Sequence, residues 1–283
     1  MRRWVALAAA VLAVSVPVAA SPAAAQAGPP DPANAIKRQL RNEHGVRTAE
    51  TVRLISGKKS EDAFRIRAAV RLGPSGAAAT DFTWRDVPKG GAGKPESHRV
   101  IRVGKDVYFD RGQYRGPVPD GKTWIRRTSS GGFIRYIAPT GSLQPINVYD
   151  QSVMKAVLKR STTERVSGGF LYRGTISYRE LSKASRSPHI DRFSGRTTDE
   201  KSKGKISWRL WADRAGLPTR LITTDAMGEG KSAMVMWIDT RYTDWGTPLV
   251  IDAPPADEVI DENDLPTELP EPPTVTPALA PVR

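Results

Sequence analysis

The chain has 283 residues, with 43 Lys and Arg against 30 Asp and Glu, three His and no Cys, for a formal charge of +13. The missing cysteine excludes disulfides, thiolate metal sites, a cysteine nucleophile and a lipid-modified cysteine at a mature N-terminus. A hydrophobic fraction of 39% over this length suffices for one large core or two small ones, and the charge points to an anionic partner.

Residues 1–27 read as a secretory signal. Arg2 and Arg3 form a basic start, residues 4–18 an apolar stretch, and Ala23 to Ala27 offer cleavage after Ala25 or Ala27. A retained anchor fits less well, because the apolar run is shorter than the roughly 20 residues that span a bilayer and contains Pro17. Residues 28–253 are the predicted folded domain, with 40 Lys and Arg against 23 Asp and Glu, a formal +17. Residues 254–283 hold eight Pro and seven acids against one base, so they read as an acidic, disordered tail that cannot bury enough surface to offset its ordering entropy. Within it, Leu265-Pro266-Thr267-Glu268-Leu269 lacks the Gly and the following apolar stretch of a sortase signal.

In the domain, residues 31–46 predict a helix, with Asp31 as cap, Pro32 at its first position and Gly45 as its stop. Strands follow. Phe64, Ile66, Ala68, Val70 and Leu72 alternate with Arg65, Arg67, Ala69 and Arg71, giving one apolar and one basic face. Pro74-Ser75-Gly76 turns into a second strand carrying Phe82, Trp84 and Arg85. Residues 100–103 and 107–109 flank a Gly104-Lys105 hairpin turn, and residues 122–127 form a further strand. Residues 150–159 predict a helix whose stripe is Val153, Met154, Val157 and Leu158. Residues 169–181, 206–210, 217–224 and 232–243 return to strand, while 90–95 and 182–205 read as polar loops. Nine to eleven hairpin-linked antiparallel strands with a few helices make a single α+β or mostly-β domain.

Catalytic signatures are absent. Residues 225–232, Asp-Ala-Met-Gly-Glu-Gly-Lys-Ser, end like a phosphate-binding loop but are followed by a strand pattern where a helix is needed, so Gly228-Glu229-Gly230 reads as a hairpin turn. His44, His98 and His189 have no partner at metal-ligand spacing, no Gly-x-Ser-x-Gly elbow occurs, and Glu61/Asp62 and Asp199/Glu200 read as solvated loop pairs. The chain therefore reads as a non-enzyme with no cofactor and no metal. Nucleic acid fits the charge but not a secreted chain without an aromatic-studded binding module.

Two surfaces remain as binding candidates. Arg65, Arg67, Arg71, Arg85, Arg173 and Arg179 occupy the polar side of strands and suit an anionic membrane surface or wall polymer. On the apolar side, Met234, Met236, Trp84, Trp124, Trp208, Trp211, Phe82 and Phe109 form a soft, aromatic-rich set suited to a ligand cavity.

Five segments carry a family resemblance: Ile101-Arg102-Val103-Gly104-Lys105-Asp106-Val107-Tyr108-Phe109, Gly121-Lys122-Thr123-Trp124, Tyr172-Arg173-Gly174-Thr175, the run 211–220 from Trp211 to Arg220, and Tyr242-Thr243-Asp244-Trp245-Gly246. Over residues 31–261 the chain resembles the actinobacterial LppX/LprG-type lipoproteins, whose fold is similar to that of the carrier LolA. The resemblance implies a single strongly curved antiparallel sheet, an incomplete barrel, with helices on its concave side and an apolar cavity between. It also implies binding or carriage of lipid without a cofactor. The expected cavity is lined by Ile66, Val70, Phe82, Trp84, Val107, Phe109, Trp208, Leu210, Met234 and Met236 on the sheet, and by Val153, Val157 and Leu158 on the helix. Members carry a lipidated Cys after the signal; this chain has none, so it is expected to be a monomer released outside the cytoplasm without a lipid anchor. An envelope sensor working through a protein partner is the alternative that the same fold allows.

Overall fold

The computed structural model describes residues 28–88, 95–127, 134–185, 189–190, 197–198, 204–227 and 234–266. The expected signal segment, the Gly228-Glu229-Gly230 turn and residues 267–283 lie outside them. In chain order the elements are α1 (Pro32–Gln39), β1 (His44–Ser56), β2 (Lys59–Gly73), β3 (Gly76–Asp86), β4 (Ser97–Val103), β5 (Asp106–Asp110), β6 (Trp124–Arg127), α2 (Ile134–Ile137) and α3 (Gln151–Leu158). They continue with β7 (Thr162–Val166), β8 (Gly169–Ser177), α4 (Tyr178–Ser185), β9 (His189–Ile190), β10 (Thr197–Thr198), β11 (Lys205–Asp213), β12 (Pro218–Met227), β13 (Met234–Pro248) and β14 (Val259–Asp261).

Twelve strands form one open sheet in the order β14-β6-β5-β4-β3-β2-β1-β13-β12-β11-β8-β7, and β9 and β10 pair separately. Every pairing is antiparallel except β14 with β6. At the usual interstrand spacing a flat sheet of this size would be roughly 50 Å wide. Yet Ile125 of β6 and Ile176 of β8, near opposite ends, belong to one core cluster with Val153 and Met154 of α3. The sheet is therefore curved around its helices, as the family resemblance implies.

Several boundaries differ from the sequence reading for identifiable reasons. Asp31 caps α1 by accepting the Ala33 N–H at 2.9 Å, with Pro32 behind it. The helix ends at Gln39 rather than near Val46, because Leu40 leaves helical geometry and Glu43 takes a positive φ of 65°. Residues 44–56 instead form β1, at the centre of the sheet between β2 and β13. Its inward positions include Thr48 and Glu50 as well as Val46 and Val52, so the apolar alternation is broken where the strand is most buried. The strand expected over 169–181 stops at Ser177. There Ser177 Oγ accepts the Glu180 N–H at 3.2 Å while Glu180 Oε2 accepts the Ser177 N–H at 3.0 Å, a capping box that starts α4.

The first part of the expected disordered tail is ordered, and this corrects the reading of residues 254–266. After β13 the chain crosses the outer face of the sheet, where Ile251 packs with Ala79, Ile101 and Tyr108. It then pairs as β14 with β6, which would otherwise be an unpaired edge. Lys122 Nζ donates to the Asp257 carbonyl at 2.7 Å, Thr123 Oγ1 donates to Glu258 Oε2 at 2.6 Å, and Arg126 pairs with Asp261 at 3.0 Å. Arg127 grips Glu262, and Leu265 is buried against the main core. Composition reads these acids as solvated; Arg126 and Arg127 of β6 give Asp261 and Glu262 partners.

Candidate functional site

The apolar candidates come together. Ile66, Val70, Phe82, Trp84, Val107, Phe109, Val153, Val157, Trp208, Leu210 and Met236 are all buried in the single main core, with Leu158 packed against it and Met234 half-buried at the start of β13. None of these side chains lines the clefts of about 530, 440 and 250 Å³ among the described residues. Trp124 and Trp211 belong elsewhere, on the outer face, where Arg99 lies 5.6 Å from the Trp124 ring and Arg220 lies 5.2 Å from that of Trp211. Each is one residue out of phase with a core neighbour, Ile125 or Leu210, and a one-residue step in a strand changes the face.

Residues 137–149 lie over the middle of the apolar face. Ile137, Leu143, Ile146, Val148 and Tyr149 are buried there. Polar side chains of the sheet hold the segment's backbone, since a loop laid on a core must still satisfy its N–H and C=O groups. Thr80 Oγ1 donates to the Ala138 carbonyl at 2.7 Å. Glu50, only 3% exposed, accepts the Leu143 N–H at 2.8 Å and the Thr240 hydroxyl at 2.7 Å, and Ser142 Oγ also donates to it. Gln144 Nε2 donates to the Leu221 carbonyl at 3.1 Å and its Oε1 accepts the Thr223 hydroxyl at 2.7 Å. Burial, with the Glu50 carboxylate adding to it, holds the Tyr149 hydroxyl far above its ordinary pKa. Gly141 has φ of 62°, and a Cβ there would lie 2.7 Å from Ala68 Cβ, so only glycine brings the segment this close to β2.

A cleft of about 440 Å³ opens between α3, α4 and β8. Ser152, Ala156 and Lys159 face it from α3, at i, i+4 and i+7, on the side away from Val153, Met154 and Val157. Glu180, Lys183 and Ala184 face it from α4, and Thr175 and Ile176 from β8. Ile176 is also part of the main core, so the floor of the cleft is continuous with the apolar interior. Around the apolar residues stand Lys159, Arg160 and Lys183 against the one acid Glu180, which pairs with Arg160 at 3.1 Å. The Ser177 N–H and hydroxyl lower the Glu180 pKa, with Arg160 contributing less, so this carboxylate stays ionised. The volume lies within the usual range for small-molecule sites, and the lining suits a molecule with one apolar and one anionic end.

The outer face is basic across most of the sheet. Register places Arg85 beside Arg65, Arg65 beside Thr51, Thr51 beside Asp239, Asp239 beside Ile222, Ile222 beside Arg209 and Arg209 beside Arg173. A second row runs from Arg67 through Ala49 and Arg241 to Arg220. Several of these are already paired: Arg65 with Asp62 at 3.4 Å, Arg173 with Glu164 at 3.0 Å and Arg220 with Asp239 at 2.6 Å. Arg67, Arg85, Arg209 and Arg241 are exposed and have no acidic partner among the described residues. Arg71 and Arg179 depart from the expected arrangement. Arg71 is half-buried between Gly45 and Ala79, and Arg179 sits on α4.

No family model matches the sequence, and no curated protein matches it. Among solved structures, the chain is similar to a domain described as an outer membrane lipoprotein-sorting protein from Vibrio parahaemolyticus, at 13% identity and a TM-score of 0.29 over 77% of this chain and 92% of that one. It is also similar to a LolA superfamily protein from Nitrosomonas europaea, at 12% identity and a TM-score of 0.29 over 79% and 93%. A third similarity, to the MucA/MucB complex of Pseudomonas aeruginosa, has 12% identity and a TM-score of 0.29 over 81% of this chain and 59% of that one.

The sequence reading missed the cleft although its pattern is printed in α3. The apolar stripe draws attention to Val153 and Val157, while Ser152 and Ala156 stand one residue before them and Lys159 follows at the end of the helix. Its other wall, α4, straddles the end of the strand expected over 169–181 and the start of the polar loop expected over 182–205.

Proposed function

We propose that the protein is a non-enzymatic binder or carrier of an amphipathic, anionic molecule outside the cytoplasm, with the α3/α4/β8 cleft as its ligand site. The single observation that carries this reading is the composition of that cleft: an apolar floor of Ala156, Ile176 and Ala184 rimmed by Lys159, Arg160 and Lys183. A hydrocarbon end gains from leaving water over such a floor, and a carboxylate or phosphate end meets Lys159 and Lys183, with Arg160 already paired to Glu180. The core candidates Trp208 and Val157 then belong to the packed wall behind the site, reached if α3 and α4 part. The signal-like residues 1–27 and the sequence resemblance to LppX/LprG-type lipoproteins support the same reading.

Displacement of a fluorescent fatty acid by phosphatidylglycerol tests it. The wild-type chain is expected to bind the probe saturably, and Ala184→Trp, which fills the cleft, to lose binding without losing its melting transition. Equal binding by both proteins would remove the cleft from the account.

A second reading has its own observation, the two arginine rows on the outer face. There the protein would rest on an anionic membrane surface, with the cleft facing away from it or along it. Each basic residue near such a surface contributes about 1 kcal/mol.

A further inference from the structure

We propose that Asp86, Glu96 and His98 form a binding site for a divalent transition-metal cation, independent of the ligand cleft. The three residues offer one ligand atom each, and these atoms all lie within 4.8 Å of one another. Strand register produces the arrangement. Trp84 pairs with His98 and Arg85 with Ser97, and the Asp86 N–H donates to the Glu96 carbonyl at 3.2 Å. Asp86 and Glu96 therefore stand opposite each other at the mouth of the β3–β4 hairpin, and His98, two residues beyond Glu96, points to the same side. Side chains ten and twelve residues apart in sequence reach one point by pairing, without any short-range spacing motif.

Several described acids are gripped by arginine, as in Asp62, Asp81, Asp239, Asp261 and Glu262. Asp86 and Glu96 have no Lys or Arg partner among the described residues; His98 Nε2 lies 3.7 Å from Glu96 Oε2. Burial, and then the Glu96 charge, push the Asp86 carboxyl above its ordinary pKa, with His98 pulling the other way. A dication held by the three groups would neutralise both carboxylates. The His98 side chain is 13% exposed and its Nδ1 is buried with no hydrogen-bond partner among the described residues, so no other group has claimed the ring.

The donor set selects the class of ion. Two carboxylate oxygens and one imidazole nitrogen suit zinc, cobalt or manganese better than magnesium or calcium, which prefer oxygen alone, and three protein ligands leave positions for water. Trp84 supplies a reporter, because its ring centroid lies 5.1 Å from that of His98.

The full chain, stripped with EDTA, is titrated with Co²⁺ and with Zn²⁺ by calorimetry while tryptophan emission is followed. One saturable site is expected, with emission quenched by Co²⁺; Trp84→Phe should keep the site and lose most of the quenching. Asp86→Asn and His98→Gln should each weaken binding by at least about tenfold, since even outer partners of metal ligands cost that much. Glu96 is 77% exposed, so Glu96→Gln tests the site without touching the core. The proposal is overturned if the wild-type chain takes up no cobalt or zinc at millimolar concentration. It is equally overturned if Asp86→Asn, His98→Gln and Glu96→Gln all bind as the wild type does, or if magnesium competes on equal terms.

Discussion

The carboxylate of Glu50, in the middle of the central strand, accepts the backbone N–H of Leu143 at 2.8 Å across 93 residues of chain. With the Ser142 and Thr240 hydroxyls on the same carboxylate, this ties the 137–149 segment to the sheet at its most buried point. Glu50→Ala leaves buried donors without an acceptor, so it is expected to cost about 3 kcal/mol of stability. Urea unfolding measures it. A loss under about 0.5 kcal/mol, the level of an ordinary surface change, would mean that the network does not hold the segment.

The C-terminal strap makes a different prediction, with a sign that follows from Asp261. The Asn263 N–H, and then the Arg126 guanidinium, hold the Asp261 carboxyl below its ordinary pKa. A lowered folded value stabilises the strap at any pH above the ordinary carboxylate range near 4, and the contribution disappears as pH falls through the folded value. Protection factors of residues 255–265 against hydrogen exchange should therefore be high at pH 6 and fall below about pH 4. Truncation after Ala253 removes the buried Leu265, worth about 2 kcal/mol, and should lower the melting temperature. An unchanged melting temperature would restore the disordered reading of the whole tail.

How far the sequence reveals this molecule depends on where each pattern is interrupted. The Gly104-Lys105 hairpin and α3 are legible because their signals are local: a tight turn between alternating runs, and an apolar stripe at helical spacing. Asp150 accepts the Ser152 and Val153 N–H groups at 2.8 and 3.1 Å, as an N-cap must. The central strand β1 is not legible, because Thr48 and Glu50 point inward to hold a loop 90 residues away and so break the apolar period that marks a strand. The 137–149 segment has apolar residues but no period, with Pro139, Gly141 and Pro145 punctuating it. For the cluster of Asp86, Glu96 and His98 the obstacle is register: sequence spacing carries no trace of a meeting across a hairpin mouth.

The outer arginine rows predict a graded electrostatic response. Arg67, Arg209 and Arg241 are exposed and free of acidic partners among the described residues, so replacing all three with Gln should leave the fold intact. At about 1 kcal/mol per cation, co-sedimentation with phosphatidylglycerol vesicles should weaken by roughly a hundredfold and lose most of its salt dependence. Unaltered co-sedimentation would remove this face from the account.

Asp86 also bears on the metal-free protein. Its raised pKa means that ionisation costs stability as pH rises past the ordinary carboxylate value, so Asp86→Asn should raise the melting temperature at pH 7 when EDTA is present. With zinc in excess the order should reverse, because the wild type gains binding free energy that the variant lacks. Calorimetric melts with and without zinc check both signs.

The most direct test of the central claim is native mass spectrometry of the chain incubated with phosphatidylglycerol in a mild detergent, wild type beside Ala184→Trp. A one-to-one lipid adduct is expected on the wild type and none on the variant. Bare protein alone in both samples, or the same adduct in both, would contradict it.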